Sequence, residues 1–133
     1  MENVEPKWTE FTREEYPVLL ADSIGCSASG HWAPYVRTAL DSLNRLTDTY
    51  PNIRVIQVKE KFGSLRMYTS IKNGKIPVPE EVLAEIDATI TQAEKNCANT
   101  CVECGSHDGV KIGFRTVDSG WLLPLCKEHH CTT

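Results

Sequence analysis

The fold of this chain is decided by the stretch Ile53-Arg54-Val55-Ile56-Gln57-Val58-Lys59-Glu60-Lys61-Phe62-Gly63-Ser64-Leu65-Arg66-Met67-Tyr68-Thr69-Ser70-Ile71. Residues 53–58 are rich in β-branched side chains, which favour strands. From Leu65 onward Leu, Met, Thr and Ile alternate with Arg, Tyr and Ser, which is the two-residue period of a strand. Gly63 lies between the two runs and suits a turn. The stretch therefore predicts two strands joined at Gly63 as an antiparallel hairpin.

An amphipathic helix is predicted on each side of this hairpin. Before it, apolar residues from Trp32 to Leu46 recur at steps of three and four, which indicates a helix of about four turns that ends before Tyr50-Pro51-Asn52. After it, the spacing of apolar residues predicts a second helix from about Glu80 to about Ala98. Each helix has one apolar face that needs cover. We expect an α+β fold in which both helices pack on one face of the hairpin.

The residues before the first helix show no clear period. Residues 1–17 hold Trp8, Phe11 and Tyr16 among polar residues, and we interpret them as an arm, with room for a short helix, whose aromatic side chains dock on the body. The stretch from Asp22 to Gly30 has the composition of a loop and supplies Ser29 as a candidate helix N-cap.

Length and charge limit the classes of function. A chain of 133 residues is one ordinary domain, and its net charge of −4, from 14 basic and 18 acidic residues, gives no basic excess to neutralise phosphates. The N-terminal sequence does not have the basic and apolar segments of a signal peptide, and no apolar run approaches the roughly 18 residues of a membrane helix. We therefore expect a cytoplasmic protein without a membrane segment.

Six cysteines in a reducing compartment point to a metal rather than to disulfides. Cys101, Cys104, Cys126 and His129 form the pattern C-x₂-C-x₂₁-C-x₂-H. Two residues between paired ligands let one tight turn aim both side chains at the same point, and zinc takes four such ligands in a tetrahedron. Four protein ligands leave no open position for a catalytic water. The pattern predicts a structural Zn²⁺ ion.

The fourth ligand has alternatives. His129 is favoured because its spacing from Cys126 mirrors the first cysteine pair, but His130 and Cys131 lie close enough to replace it, and His107 follows the first pair closely. The alternative to metal binding is a set of buried or redox-active cysteines. A thioredoxin-like motif does not fit, because Cys101 follows a predicted long helix rather than a strand.

The segment between the two ligand pairs predicts a second hairpin. Residues 110–114 alternate, residues 118–120 have turn composition, and residues 121–125 are a second apolar run. A treble-clef zinc finger has the same order of elements: a tight turn with two ligands, a hairpin, and a second ligand pair at the start of a short terminal helix. We divide the chain into an α+β body with its N-terminal arm, residues 1–99, and a treble-clef-like zinc module packed on it, residues 100–133.

A second cluster of polar residues surrounds Gly63. Its members are cationic or aromatic and could form an exposed face that binds a phosphate, a nucleotide or an acidic partner. They are Lys59, Lys61, Arg66 and Tyr68. The alternative is a solvated hairpin with cross-strand charge pairs. Lys111 and Arg115 of the second hairpin would extend this face, but the sequence does not place them beside it.

These two motifs together resemble those of a family of small phage, prophage and bacterial proteins. That family shares V-K-E-K-F-G-x-L-R-x-Y, matched here by residues 58–68, and C-x-x-C-G…G-W…L-C-x-x-H, matched by residues 101–105, 120–121 and 125–129. The resemblance covers roughly residues 30–130. Ser64 stands where family members often have a second glycine, which affects only the turn type. The family has no established activity, so the resemblance implies the architecture and a phage origin, with the host cytoplasm as the compartment.

No catalytic constellation emerges from the sequence. Residues 25–29, Gly-Cys-Ser-Ala-Ser, narrowly miss the G-x-S-x-G nucleophile elbow and have His31 nearby, but 133 residues are too few for an α/β-hydrolase sheet. An HNH-type nuclease would need a further metal-binding helix, and only three residues follow His130. We expect a non-enzymatic, zinc-stabilised binding module whose partner is a protein, a host protein or defence component if the chain is phage-encoded. The alternative is a nucleic-acid-binding accessory protein that uses Lys59, Lys61 and Arg66.

Overall fold

The structure is a computed structural model, and it describes residues 8–61, 63–74, 76–102, 104–114 and 122–128. Strands and helices follow one another in the order β1 (Trp8–Glu10), β2 (Gly25–Ser29), α1 (Ala33–Leu46), β3 (Ile53–Lys61), β4 (Ser64–Ile71), α2 (Glu80–Ala98), β5 (Lys111–Phe114) and β6 (Leu122–Leu125). The mixed α+β class expected from the sequence is confirmed. Neither α1 nor α2, the helices of the described ranges, is long and apolar enough to cross a membrane.

A four-stranded sheet with the order β1-β2-β3-β4 forms the centre of the fold. The predicted hairpin is confirmed as β3 and β4, which pair antiparallel with Lys61 opposite Ser64 and a register shift between Val55 and Gln57. The two predicted helices are also confirmed, and α2 has the predicted bounds, Glu80–Ala98. The hairpin is thus half of a larger sheet, which the sequence did not reveal.

The other half of the sheet corrects two expectations. The stretch expected to be a loop contains the strand β2, which pairs parallel with β3 through Cys26 and Val58 and antiparallel with β1 through Ala28 and Thr9. Cys26 and Ala28 are buried, because alternate residues of a strand face the core and small side chains fit there. Ser29 ends this strand, and the N-cap of α1 is Trp32, without a side-chain cap. Ser29 is therefore not the N-cap.

The described part of the N-terminal segment, expected as an arm with room for a short helix, instead supplies strand β1 and then turns, and two of its three aromatic residues dock on the body at α1. Phe11 and Tyr16 are buried. The Tyr16 hydroxyl donates to Asp41 Oδ1 at 2.6 Å, and the Arg37 guanidinium lies 4.8 Å from the centre of the Phe11 ring. Burial and the Asp41 carboxylate raise the pKa of Tyr16 to about 12, so its hydroxyl remains a donor. Trp8 was expected to dock as well, but it is 57% exposed on the edge strand β1.

The hydrophobic core lies between the sheet and the two helices. Helix α2 contacts α1 and β4, and α1 contacts β2. Fully buried side chains come from α1, β3 and the segment before β2, and they include Leu19, Leu20, Trp32, Val36, Leu40, Leu43, Ile53 and Val55. Burial of this apolar surface is the main stabilising contribution to this part of the fold.

The second predicted hairpin is present as a separate two-stranded sheet. Strands β5 and β6 pair antiparallel, from Lys111 opposite Leu125 to Phe114 opposite Leu122. The turn predicted at residues 118–120 lies outside the described residues, as do Arg115 and the greater part of the expected terminal helix. Leu123 and Leu125 of β6 are buried and belong to the main core cluster. The C-terminal hairpin therefore packs against the rest of the fold.

Candidate metal centre

A tight turn directly after α2 presents the first two cysteines. The Cys101 backbone N–H donates to the Ser106 carbonyl at 2.9 Å, and the Gly105 N–H donates to the Cys101 carbonyl at 2.8 Å. Gly105 has φ of +79°, a left-handed conformation that glycine adopts without strain. The turn holds Cys101 and Cys104 on one side of a closed loop, as the C-x₂-C spacing predicts. We call residues 101–106 the knuckle.

The third cysteine reaches the knuckle from the end of β6. The Val102 N–H donates to the Pro124 carbonyl at 3.0 Å, and the Lys127 N–H donates to the Asp108 carbonyl at 3.2 Å. These two hydrogen bonds lie on either side of Cys126 in the chain. They bring its sulfur to 3.8 Å from the Cys104 sulfur.

The three sulfur atoms fit the ligand spacing of a tetrahedral metal ion. The ligand atoms of Cys101, Cys104 and Cys126 all lie within 4.8 Å of one another. A zinc ion with sulfur ligands at about 2.3 Å would place neighbouring sulfurs about 3.8 Å apart, which is the observed Cys104–Cys126 separation. Cys101 and Cys126 are buried, while Cys104 is exposed. This cluster could hold a metal ion, with its fourth ligand still to be assigned.

The surroundings of Cys104 favour its protonated thiol as long as no cation is bound. A hydrogen bond from the Ser106 backbone N–H lowers the pKa of Cys104, but desolvation and the thiols of Cys126 and Cys101 outweigh it and raise the pKa to about 11. A divalent cation would reverse this balance, because it stabilises the thiolates that bind it. Binding of a metal ion would therefore be coupled to loss of the Cys104 thiol proton.

The candidates for a fourth ligand divide into two groups. His129, the predicted ligand, and the alternatives His130 and Cys131 lie outside the described residues. His107 is described, and it is not part of the cluster. Its Nδ1–H donates to the Asn99 carbonyl at 2.9 Å at the end of α2, and its Nε2 lies 3.4 Å from the Tyr35 hydroxyl. The ring of His107 thus caps α2 and connects it to α1.

The segment before α1 packs directly on the knuckle. The buried indole N–H of Trp32 donates to the carbonyl of Thr100, the residue before Cys101, at 3.3 Å. The Nδ1 atom of His31 lies 2.9 Å from the position that a Cβ atom on Gly105 would occupy. No local pattern in the sequence predicts these contacts, because they join segments about seventy residues apart.

The near-miss nucleophile motif does not have the geometry of an elbow. Ser27 lies within strand β2 rather than on a strand-to-helix turn. His31, the nearby histidine, lies against the backbone of Gly105. These positions do not form the nucleophile and base arrangement of a hydrolase.

The structure places the four residues predicted around Gly63 on one face of the β3–β4 hairpin. Lys59 is opposite Arg66, and Lys61 is opposite Ser64. The Lys59 ammonium lies 5.8 Å from the centre of the Tyr68 ring. Leu65 and Met67 alternate with Arg66 and Tyr68 and are buried, so these four residues face away from the core. We call Lys59, Lys61, Arg66 and Tyr68 the hairpin face.

Comparison with other proteins gives no lead to a family. No model of a known protein family, no curated protein and no solved structure matches this chain. The functional proposals therefore depend on two features of the molecule itself, the cysteine cluster and the hairpin face. Lys111, the proposed extension of that face, is exposed on β5 in the separate sheet.

Proposed function

We propose that this protein is a non-enzymatic binding module that a structural Zn²⁺ ion stabilises. The observation that carries the proposal is the meeting of three cysteine sulfurs, from the knuckle and from the end of β6, within 4.8 Å. Zinc is the metal that tetrahedral thiolate and imidazole sites most often hold. Cys101, Cys104 and Cys126 would supply three ligands, and His129 the fourth.

The role proposed for the metal is structural. A site with four protein ligands has no open position for substrate or water. The β5–β6 sheet has only two strands, which supply little stability of their own in water, whereas structural zinc binding in small modules contributes on the order of 10–16 kcal/mol. The ion would therefore fasten the end of β6 to the knuckle, in the order of elements found in treble-clef zinc fingers.

The metal proposal is tested by elemental analysis and amide hydrogen exchange. Protein purified without chelators is expected to contain one zinc ion per chain. Removal of the ion with a strong chelator is expected to abolish amide protection in the knuckle and in β5 and β6, while β3, β4 and α1 stay protected. Protein without any bound metal, or exchange that the chelator leaves unchanged, would contradict the proposal.

The proposed partner is a protein. The resemblance to phage and prophage proteins leads us to propose a host protein, or a component of host defence, in the host cytoplasm. The supporting structural feature is the hairpin face, which displays Lys59, Arg66 and Tyr68 away from the core. The test is affinity capture from a bacterial lysate with the zinc-loaded protein and, in parallel, with its Arg66→Glu variant. A polypeptide that binds the first protein but not the variant is a partner that binds through the hairpin face.

Nucleic-acid binding is a second candidate because Lys59 and Arg66 lie directly opposite each other and would both reach phosphates. The net charge of −4 does not favour it. This candidate would be supported if the protein were retained on heparin or DNA, if moderate salt eluted it, and if Lys59→Ala weakened the retention. An unretained protein would exclude it.

A further inference from the structure

The strand β4 forms one edge of the central sheet. In the order β1-β2-β3-β4 it pairs with β3 on one side, and within the described ranges no strand pairs with its other side. An edge strand presents a row of backbone N–H and C=O groups that can pair with another chain. At eight residues β4 is much longer than the opposite edge strand β1, which has three. The sheet therefore offers one long edge.

The side chains of β4 are divided between its two faces. Leu65 and Met67 are buried on the side of the helices, whereas Arg66, Tyr68 and Ser70 are exposed on the other side. A strand added along β4 would place every second side chain beside this exposed row. Tyr68, with 43% of its surface exposed, provides an aromatic contact at the middle of the row.

The charge beside this edge is positive. Lys59 lies directly opposite Arg66, and like charges in this position destabilise a sheet. The other positions of the same face on β3 and β4 carry basic or neutral side chains; they are Arg54, Gln57, Lys61, Ser64, Tyr68 and Ser70. The whole chain, in contrast, has a net charge of −4. A local cationic surface on an acidic protein is complementary to an anionic partner.

Two acidic residues, Asp22 and Glu94, interact with basic residues of this surface. Arg54 pairs with Asp22, whose Oδ2 atom lies 3.1 Å from its Nε atom and 3.0 Å from Lys72 Nζ, so Arg54 already has an anionic partner within the chain. Burial raises the pKa of Glu94 on α2, and the charge of Arg66 opposes that shift, so Glu94 is an acidic group within reach of the field of Arg66. Lys59 and Arg66 are therefore the two cations on which the inference depends.

We infer that β4 binds an extended acidic segment of a partner protein as a fifth strand of the sheet. This inference rests on the proposed function as a binding module. Main-chain hydrogen bonds to the edge would supply affinity, and alternate carboxylates beside Arg66 and Lys59 would supply specificity. A peptide explains both features, because a nucleic acid would use the cations but leave the backbone groups of the edge unpaired.

The first experiment measures the charge preference. The probe is a fluorescein-labelled peptide of four Val-Glu repeats, and its control has four Val-Gln repeats. With zinc-loaded protein, fluorescence anisotropy is expected to show the Gln peptide binding about tenfold more weakly. Arg66→Glu is expected to weaken binding of the Val-Glu peptide at least as much. Arg45→Glu on α1 makes the same charge change away from the edge and is expected to leave the affinity unchanged. Equal binding of the two peptides would overturn the inference.

The second experiment tests strand addition itself. Two versions of the Val-Glu peptide carry N-methyl groups on alternate residues, one on the Val positions and the other on the Glu positions. Since the N–H groups of a strand point alternately to its two sides, one version is expected to lose binding and the other to keep it. Binding is also expected to slow amide exchange of β4. If both versions bind like the parent peptide, the contact is charge attraction alone and the inference is wrong.

The remaining outcomes separate this inference from the proposed function. Lys59→Glu serves as a second variant, and every variant is first checked for one bound zinc ion and for an unchanged circular dichroism spectrum. Folded, zinc-loaded protein that binds no peptide would overturn the fifth strand but leave the zinc-stabilised module intact. An oligothymidylate that binds more tightly than the peptide, and needs Arg66, would overturn the inference in favour of nucleic acid. A chain without zinc would instead contradict the proposed function.

Discussion

The two parts of this molecule differ in their secondary structure and in their cysteine content. The body, here the described residues from 8 to 100, has four strands and two helices around fully buried side chains such as Trp32, Leu40 and Ile53. The C-terminal region, the described residues from 101 to 128, has one two-stranded sheet and three clustered cysteines, of which Cys101 and Cys126 are buried and Cys104 is exposed. Hydrophobic burial stabilises both parts, since Leu123 and Leu125 join the main core, and the proposed metal ion would add a cross-link to the second part. The proposed ion would thus give this short chain a second source of stability beside its hydrophobic core.

Removal of a metal ligand is expected to give the largest effect and to affect only one of the two parts. Cys126→Ser should lower the zinc content from one ion per chain towards none, because three-ligand sites lose most of the coordination energy, which is on the order of 10–16 kcal/mol for intact structural sites. Amide exchange should then show lost protection in β5 and β6 and retained protection in β3 and α1.

The matched control for this variant is Cys97→Ala. Cys97 is fully buried on α2, burial and the charges of Glu60 and Glu94 raise its pKa to about 12, and it lies outside the cluster. It should keep its zinc. If the Cys126→Ser protein still bound one zinc ion per chain, Cys126 would not be a ligand, and the C-terminal region would not depend on the metal through this residue.

A cavity in the body is expected to give the next largest effect, independent of the metal. Leu40 is fully buried on α1, so Leu40→Ala should lower the free energy of unfolding by about 2–5 kcal/mol. Urea denaturation of zinc-loaded and of chelated protein should give the same loss, because distant independent sites contribute additively. Leu83→Ala, at a side chain 39% exposed on α2, should cost much less. If Leu40→Ala lowered the free energy of unfolding in the zinc-loaded protein but not in the chelated protein, the two parts would not be independent.

The smallest of the three effects concerns the boundary between the two parts. Gly105→Ala would force a non-glycine residue into a left-handed conformation, at about 1–2 kcal/mol, and would push a methyl group to 2.9 Å from His31 Nδ1. Zinc retention against a chromophoric chelator should therefore fall.

Gly109→Ala separates the two contributions to this effect. Gly109 also has a positive φ, +61°, but its added Cβ would meet Lys127, with the Cβ of that residue at 3.3 Å and its backbone nitrogen at 3.8 Å. The excess effect of Gly105→Ala over Gly109→Ala measures the contact with His31, and His31→Ala should remove that excess. Equal effects of the two glycine substitutions would show that His31 does not matter for the knuckle.

Hydrophobic patterns in the sequence predicted the helices and strands that are determined by residues near one another in the chain. The hairpin of β3 and β4 follows from alternation around Gly63, and α2 follows from apolar residues at helical spacing. The strand β2 was missed, because its small residues have the composition of a loop and it becomes a strand only by pairing with β1 and β3. Long-range backbone pairing overrides such weak local preferences.

The same distinction applies to the candidate metal centre and to the hairpin face. The C-x₂-C spacing identified Cys101 and Cys104, and Cys126 followed from a second ligand pair, because ligand geometry leaves a local trace in the sequence. The contacts of His31 and Trp32 with the knuckle leave no such trace. For the hairpin face, alternation shows which residues share one strand face, but the pairing of Lys59 with Arg66 depends on the register of β3 and β4.

The hydrogen bond from Trp32 to Thr100 has a consequence for how the chain folds. It joins residues 68 positions apart, whereas the turn at Gly63 brings together Lys61 and Ser64. Loop-closure entropy grows with chain separation, and proteins with more distant contacts fold more slowly. The hairpin is therefore expected to form early and the docking of the knuckle late. During synthesis Cys126 emerges after all of α1, β3, β4 and α2, so capture of the proposed metal ion would come last and would complete a body that has already collapsed.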